Sequence, residues 1–199
     1  MKIKPYSFNP NDYIAIAKLH VKFINQGFLS TLGIPFLSLL YEAIDKDSGS
    51  ILLIIKNDLN IIGFVSGTSN LKKVYQQLLL QPLRLFCSLK SCFFSPSKIY
   101  KIIEILLIIR NNSSSVDLPK QELLSIVVDS KFQGKRYAET LFKDLCGYFK
   151  EKGASSFIIV VGSDLSRASA FYTKMGAVPV KEIQVHKGGS SMVFKKNLK

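Results

Sequence analysis

Leu123-Leu124-Ser125-Ile126-Val127-Val128-Asp129-Ser130-Lys131-Phe132-Gln133-Gly134-Lys135-Arg136-Tyr137-Ala138 is the stretch on which the fold turns. Its first six residues are an apolar run of strand length, rich in β-branched side chains. A polar, basic turn follows. From about Gly134 to Lys152 the apolar positions Ala138, Leu141, Phe142, Leu145, Cys146 and Phe149 recur at helical spacing. Lys150 and Lys152 fall in the expected last turn, and Gly153 stops the helix. Strand, turn and helix in this order aim unpaired amide N–H groups and a positive dipole end at the turn, which is where phosphate groups bind. Gly134 lets a ligand approach the backbone, and Lys131, Lys135 and Arg136 add charge.

Working outward, Phe157 to Val161 reads as a strand, Ser166 to Met175 as a short helix closed by Gly176, and Val185 with Met192 to Phe194 as a final hairpin. Toward the N-terminus, Ser50–Ile55 and Ile61–Val65 flank a polar turn and read as an antiparallel hairpin. Before it, residues 1–8 read as a first strand, and Asn9-Pro10-Asn11-Asp12 as a helix start. Gly27 and Gly33 bracket a loop, and a second helix is expected from about Pro35 to Ala43. Residues 70–112 read as a helical insertion in three pieces divided by Pro82 and Pro96, with Ile99–Ile109 apolar almost all round and expected to be buried.

A second segment, Ala168-Ser169-Ala170-Phe171-Tyr172-Thr173-Lys174-Met175-Gly176-Ala177, has its own pattern. Together the two segments resemble the GCN5-related N-acetyltransferase (GNAT) superfamily. The first is similar to that family's Arg/Gln-x-x-Gly-x-Gly/Ala pyrophosphate loop, with Gln133 at its start and Ala138 at its end. The second is similar to its Ala-x-x-Phe-Tyr-x-Lys-x-Gly-Phe helix and turn. The resemblance covers about residues 121–195. Arg136 stands where the family has a central glycine, and Leu165 where an Asn often opens the second motif.

The resemblance implies an α/β (α+β) fold: a central, mostly antiparallel mixed sheet flanked by helices, in one acyl-CoA N-acyltransferase domain over residues 1–199. It implies acetyl-coenzyme A as co-substrate and no metal. The strand ending at Val128 should splay from its neighbour, so that backbone groups of Ile126, Val127 and Val128 bind the pantetheine arm and an N–H polarises the thioester carbonyl. Gln133, Gly134, Lys135, Arg136, Tyr137 and Ala138 would hold the pyrophosphate, with Arg167 in reach of a coenzyme A phosphate. Tyr172 would protonate the departing thiolate. Glu122, at the head of the strand, is the candidate base, since the attacking amine must be neutral. Read without the resemblance, Glu122 is a solvated strand-end carboxylate and Tyr172 a core tyrosine beside Phe171. His20 is expected on a helix surface or half-buried, His186 in the terminal hairpin, and Cys146 as an inert core thiol.

Lys plus Arg total 27 against 14 Asp plus Glu, a net charge of +13. Residues 70–112 hold seven basic and one acidic residue, so +6 of it. Such a surface suits an anionic amine acceptor, such as a nucleotide-linked amino sugar. A protein N-terminus or lysine is the alternative acceptor. A non-catalytic binding module, using the basic insertion on nucleic acid or membrane, is the alternative function, and the chain alone admits a homodimer. Three cysteines without a Cys-x-x-Cys pair fit a reduced, cytoplasmic protein. The enzyme reading predicts that millimolar acetyl-coenzyme A raises the melting temperature, because a ligand that binds only the folded state stabilises it. No shift, together with RNA or DNA binding that falls steeply with salt, is the outcome of the binding-module reading.

Overall fold

A computed structural model describes residues 7–25, 27–58, 60–90, 95, 118–186 and 189–198. Its centre is a six-stranded sheet of order β1-β2-β3-β4-β6-β5, with β1 Ser50–Asn57, β2 Asn60–Thr68, β3 Glu122–Val128, β4 Ser156–Gly162, β5 Val178–His186 and β6 Gly189–Asn197. Only the β3–β4 pair is parallel. The expected mixed, mostly antiparallel sheet is therefore the observed one.

Helices α1 Pro10–Phe23, α2 Gly33–Lys46, α3 Leu71–Leu79 and α4 Pro82–Ser88 cover one face of the first three strands. Helices α5 Tyr137–Glu151 and α6 Ser166–Lys174 cover the other. The first core packs Ile16, Leu37, Tyr41 and Ile44 against Leu52, Ile54 and Phe64. The second packs Leu141, Phe142, Leu145 and Phe149, the face read from helical spacing, against Val65, Leu123, Phe157 and Ile159.

Local chemistry explains the boundaries. The Asn9 side chain accepts from the amides of Asn11 and Asp12, while Asp12 Oδ2 accepts from the Asn9 amide, so α1 starts in a capping box with Pro10 in its first turn. Gly33, at φ 87°, and Phe28–Leu32 depart from the expected open loop: the segment is a 3-10 turn running into α2. Residues 7–9 precede α1 without forming a strand, and residues 1–6 of that expected strand lie outside the described residues. Two of the three expected pieces of the insertion are present as α3 and α4, divided at Gln81-Pro82; Ile99–Ile109 lies outside the described residues. The stretch Phe28–Lys46 is long and apolar enough to cross a membrane by composition, but Phe36, Leu37, Leu40, Tyr41 and Ile44 within it are buried in the first core.

One close approach fixes how α5 lies on the sheet. A Cβ on Gly67 of β2 would sit 2.8 Å from Leu145 Cδ1, 2.9 Å from Phe149 Cζ and 3.2 Å from the Glu122 carbonyl oxygen. The helix is thus seated where β2 has no side chain. Gly67→Ala should cost about 1–3 kcal/mol, as overpacking of a dense core does. A lower urea midpoint at unchanged m-value is the expected observation.

Candidate functional site

The register around β3 creates an opening in the sheet. On one side β3 pairs with β2 from Glu122–Thr68 through to Val128–Gly63. On the other it pairs with β4 only at Glu122–Ile158 and Leu123–Ile159. Backbone groups of successive strand residues point to opposite edges. The Ile158 amide donates to the Gln121 carbonyl at 2.9 Å, so Gln121 and Leu123 face β4. At the far end the Asp129 amide donates to the Ile62 carbonyl at 2.8 Å, so Val127 and Asp129 face β2. Odd-numbered residues therefore change edges within one strand. The change occurs at Leu124, which has no Cα partner because Gly67 pairs with Leu123 and Ser66 with Ser125. This is a β-bulge, which inserts one residue and shifts the alternation.

After the bulge, Ile126 and Val128 turn their backbone groups into the gap left by β4. The Val128 carbonyl accepts from Gln133 Nε2 at 3.4 Å. Val127 does not belong to this set. Its backbone faces β2 and its side chain is buried in the first core, because the bulge leaves only even-numbered positions on the open edge.

The turn after β3 begins with Asp129, whose Oδ1 accepts from the Lys131 amide at 3.0 Å. A 3-10 turn, Ser130–Phe132, leads to Gly134 at φ 80° and Arg136 at φ 60°, ψ 14°. Two left-handed residues delay the helix to Tyr137, three residues later than its sequence suggests. A left-handed conformation costs a non-glycine residue about 1–2 kcal/mol. Arg136 thus keeps the backbone conformation for which glycine is suited. No side chain caps α5. The amides of its first turn, at Tyr137, Ala138 and Glu139, have no intrahelical partner and face the same end as the positive dipole. Gln133, Gly134, Lys135 and Arg136 are exposed around them.

The second motif packs directly against the first. Lys174 Nζ of α6 lies 2.8 Å from Glu139 Oε1 in the first turn of α5. The rings of Phe171 and Tyr172 both lie 6.0 Å from that of Phe142. Tyr172 is buried, in the same cluster as Val128, and burial pushes its phenol pKa upward, which keeps the proton on. Its burial beside Phe142 and Phe171 is the place expected of a core tyrosine. Arg167 lies exposed in the first turn of α6. Cys146 is half-buried, and desolvation raises its thiol to about 11.

Glu122 sits at the closed end of the gap, on the face of the sheet covered by α1 to α4. It is half-buried, and desolvation raises its carboxyl to about 7, so it is not the solvated carboxylate of the simplest reading. Tyr75 of α3 lies near enough that the Glu122 charge adds to burial in raising the phenol to about 12. A polar cluster that the sequence did not reveal occupies the same face. His20 is fully buried, deeper than the helix-surface or half-buried place expected: Nδ1 lies 2.6 Å from Tyr41 Oη, and Tyr41 hydrogen-bonds Ser125 beside the bulge. Desolvation lowers His20 to about 4, so it is neutral. His20 Nε2 and Ser66 Oγ are buried without a partner among the described residues. The available signal was a serine inside each of two apolar strand runs, since buried strand positions seldom carry one. His186 lies at the end of β5, outside this cluster's elements. No group of three or more potential metal ligands occurs among the described residues.

Comparisons with known proteins bear on the family and the fold. A family model described as "Acetyltransferase (GNAT) family" matches residues 21–177. Among curated proteins, no sequence matches the chain. Among solved structures, the PaiA N-acetyltransferase of Thermoplasma acidophilum in complex with coenzyme A is similar at TM-score 0.60 and 13% identity, covering 99% of each chain. An aminoglycoside 6′-N-acetyltransferase complexed with coenzyme A aligns at TM-score 0.62 and 12% identity, over 100% of this chain and 98% of the other. The ribosomal-protein-S18-alanine N-acetyltransferase of Escherichia coli aligns at TM-score 0.59 and 10% identity, over 100% and 94%.

The raised carboxyl of Glu122 has a consequence for stability. Its folded pKa lies above its unfolded one, about 7 against 4.5, so the folded state binds the extra proton between those values. That contribution to stability is present below about pH 4.5 and is lost as pH rises through about 7. Glu122→Gln cannot lose it. The variant's stability should therefore rise relative to wild type from pH 5 to pH 7.5, as read from paired urea denaturation curves.

Proposed function

Since the chain belongs to the GNAT acetyltransferase family, we propose that it moves an acetyl group from acetyl-coenzyme A to a primary amine of a small molecule, within one acyltransferase domain spanning residues 1–199. The observation that carries this reading is the pairing of β3 with β4 at only two residue pairs, beside an uncapped helix N-terminus. An open strand edge offers amide hydrogen bonds to an extended amide-bearing arm. An uncapped, lysine- and arginine-flanked helix start offers a seat for phosphates.

In this reading the N–H groups of Ile126 and Val128 bind and orient the pantetheine arm and its thioester. The amides of Tyr137 and Ala138, with Gln133, Gly134, Lys135 and Arg136, hold the pyrophosphate, and Arg167 reaches a further phosphate. An N–H on the open edge stabilises the oxyanion as the amine nitrogen adds to the carbonyl carbon. Glu122 removes the amine's proton, directly or through a water. The carbon–sulfur bond breaks as the oxyanion collapses, and Tyr172 gives its proton to the sulfur. A base titrating near 7 is poised for this task at neutral pH.

The net charge of +13 favours an anionic acceptor, such as a nucleotide-linked amino sugar, and a cytoplasmic setting supplies both substrates. A protein N-terminus or lysine is the competing choice, and the Escherichia coli neighbour is named for an alanine of a ribosomal protein. Mass spectrometry of amine pools incubated with the protein and acetyl-coenzyme A separates the two. In the same assay Tyr172→Phe should lower kcat by roughly 10²–10⁴-fold with acetyl-coenzyme A affinity nearly unchanged. Stability should fall by no more than about 1 kcal/mol, the value of a lost hydrogen bond. Wild-type turnover in this variant would remove Tyr172 from the chemistry. For Glu122, kcat/KM should rise with pH to a plateau above about 7, and Glu122→Gln should abolish that rise.

A further inference from the structure

The start of α5 contains a group whose charge opposes an anionic ligand. Between Ser130 and Lys143 the chain carries Lys131, Lys135, Arg136 and Lys143 against one acid, Glu139. Glu139 is the third residue of α5 and lies in its first turn. The helix itself favours a carboxylate there, near the positive end of its dipole. That carboxylate follows directly on Tyr137 and Ala138, whose amides have no intrahelical partner. A phosphate seated on those amides shares one positive field with Glu139 and is repelled by it.

A cation from another element meets this charge. Lys174 Nζ, in the last turn of α6, lies 2.8 Å from Glu139 Oε1, although the two residues are 35 positions apart. Packing delivers the lysine, because Phe171 and Tyr172 of α6 rest against Phe142 of α5. The Lys174 ammonium holds the Glu139 carboxyl below the usual carboxylate range, and Arg136 and Lys143 add to the effect, so Glu139 is charged at neutral pH. Asp129, the acid that opens the turn, has a similar partner: Lys22 of α1 lies 3.3 Å from its Oδ2. Each acid beside the turn therefore has a lysine brought from a distant helix. Such pairs add little to stability, since solvent screens them. Their effect on an anion arriving at the same turn is separate, because that anion responds to the sum of the local charges.

We infer, on the acetyl-coenzyme A reading proposed above, that Lys174 is a specificity-determining residue of the co-substrate site: it cancels the Glu139 carboxylate, so that the start of α5 accepts a pyrophosphate. Lys174 acts through Glu139 and does not touch the reacting atoms. Two other roles for the same pair predict different signs. A purely structural tether is broken by removing either half, so both single variants would bind coenzyme A more weakly. A lysine that grips the phosphate directly would be missed whether or not Glu139 is present.

Calorimetric titration of the full chain with coenzyme A separates these roles. Lys174→Met should weaken binding about twofold to fivefold, the weight of one charge beside a helix start. Glu139→Gln should tighten it by a similar factor. The double variant, with both charges gone, should return to wild-type affinity. Raised sodium chloride should narrow the gap between the two single variants, as it does for any effect of exposed charge. Lys174 is exposed and Glu139 half-buried, so the variants should keep the wild-type melting temperature in the absence of ligand. Four outcomes overturn the inference while the wild type still binds coenzyme A: weaker binding in both single variants, a double variant as weak as Lys174→Met, unchanged affinity in all three, or a gap that salt leaves intact. A wild-type chain that binds no coenzyme A overturns the acetyl-coenzyme A reading as well.

Discussion

One extra residue in β3 organises this protein. The bulge at Leu124 changes which residues of the strand face β2 and which face β4, while the strand stays paired with β2 along its length. Without it, Ile126 and Val128 would turn their backbone groups to β2, and the edge exposed by the departure of β4 would present Val127 instead. The bulge also puts Leu124 and Ser125 on the side of the first core, where Ser125 meets Tyr41. An opening in a sheet normally leaves unpaired backbone groups, a cost that a protein tolerates where a ligand supplies the partners. The opening lies beside the start of α5, where the backbone is likewise uncapped.

The two cores serve this arrangement differently. The second core seats α5 against Gly67 and brings α6 onto its flank, so that Lys174 reaches Glu139 and Tyr172 reaches Phe142. It fixes the position of the uncapped helix start relative to the opening. The first core is dense with aliphatic side chains around α2, but carries His20, Tyr41, Ser66 and Ser125 within it. Buried polar groups cost stability unless paired, and two of these atoms, His20 Nε2 and Ser66 Oγ, lack a partner among the described residues. Their position on the sheet face shared with Glu122 places that cost beside the candidate base.

The basic charge is also unevenly used. Lys22 with Asp129 and Lys174 with Glu139 join elements around the turn, as ion pairs that solvent screens. Lys131, Lys135 and Arg136 lie exposed in the turn that leads to α5.

Short-range rules in the sequence determined most of the elements. The capping box at Asn9, the hairpin around residues 57–60, the helical spacing of Leu141, Phe142, Leu145 and Phe149, and the stop at Gly153 all depend on residues within a few positions of one another. The two motifs also made the sheet's mixed character and the candidate turn legible, because strand, turn and helix are contiguous there. Tertiary structure alone decided the rest. The bulge at Leu124 appears only in the register with β2, which no property of Leu124 announces. The late start of α5 follows from Arg136 holding a left-handed conformation, against the ordinary preference of its side chain. His20 turned inward, and Glu122 acquired its near-neutral carboxyl, because helices distant in sequence remove water from around them. Desolvation is a property of what packs above a residue, and that is set by contacts across tens of residues.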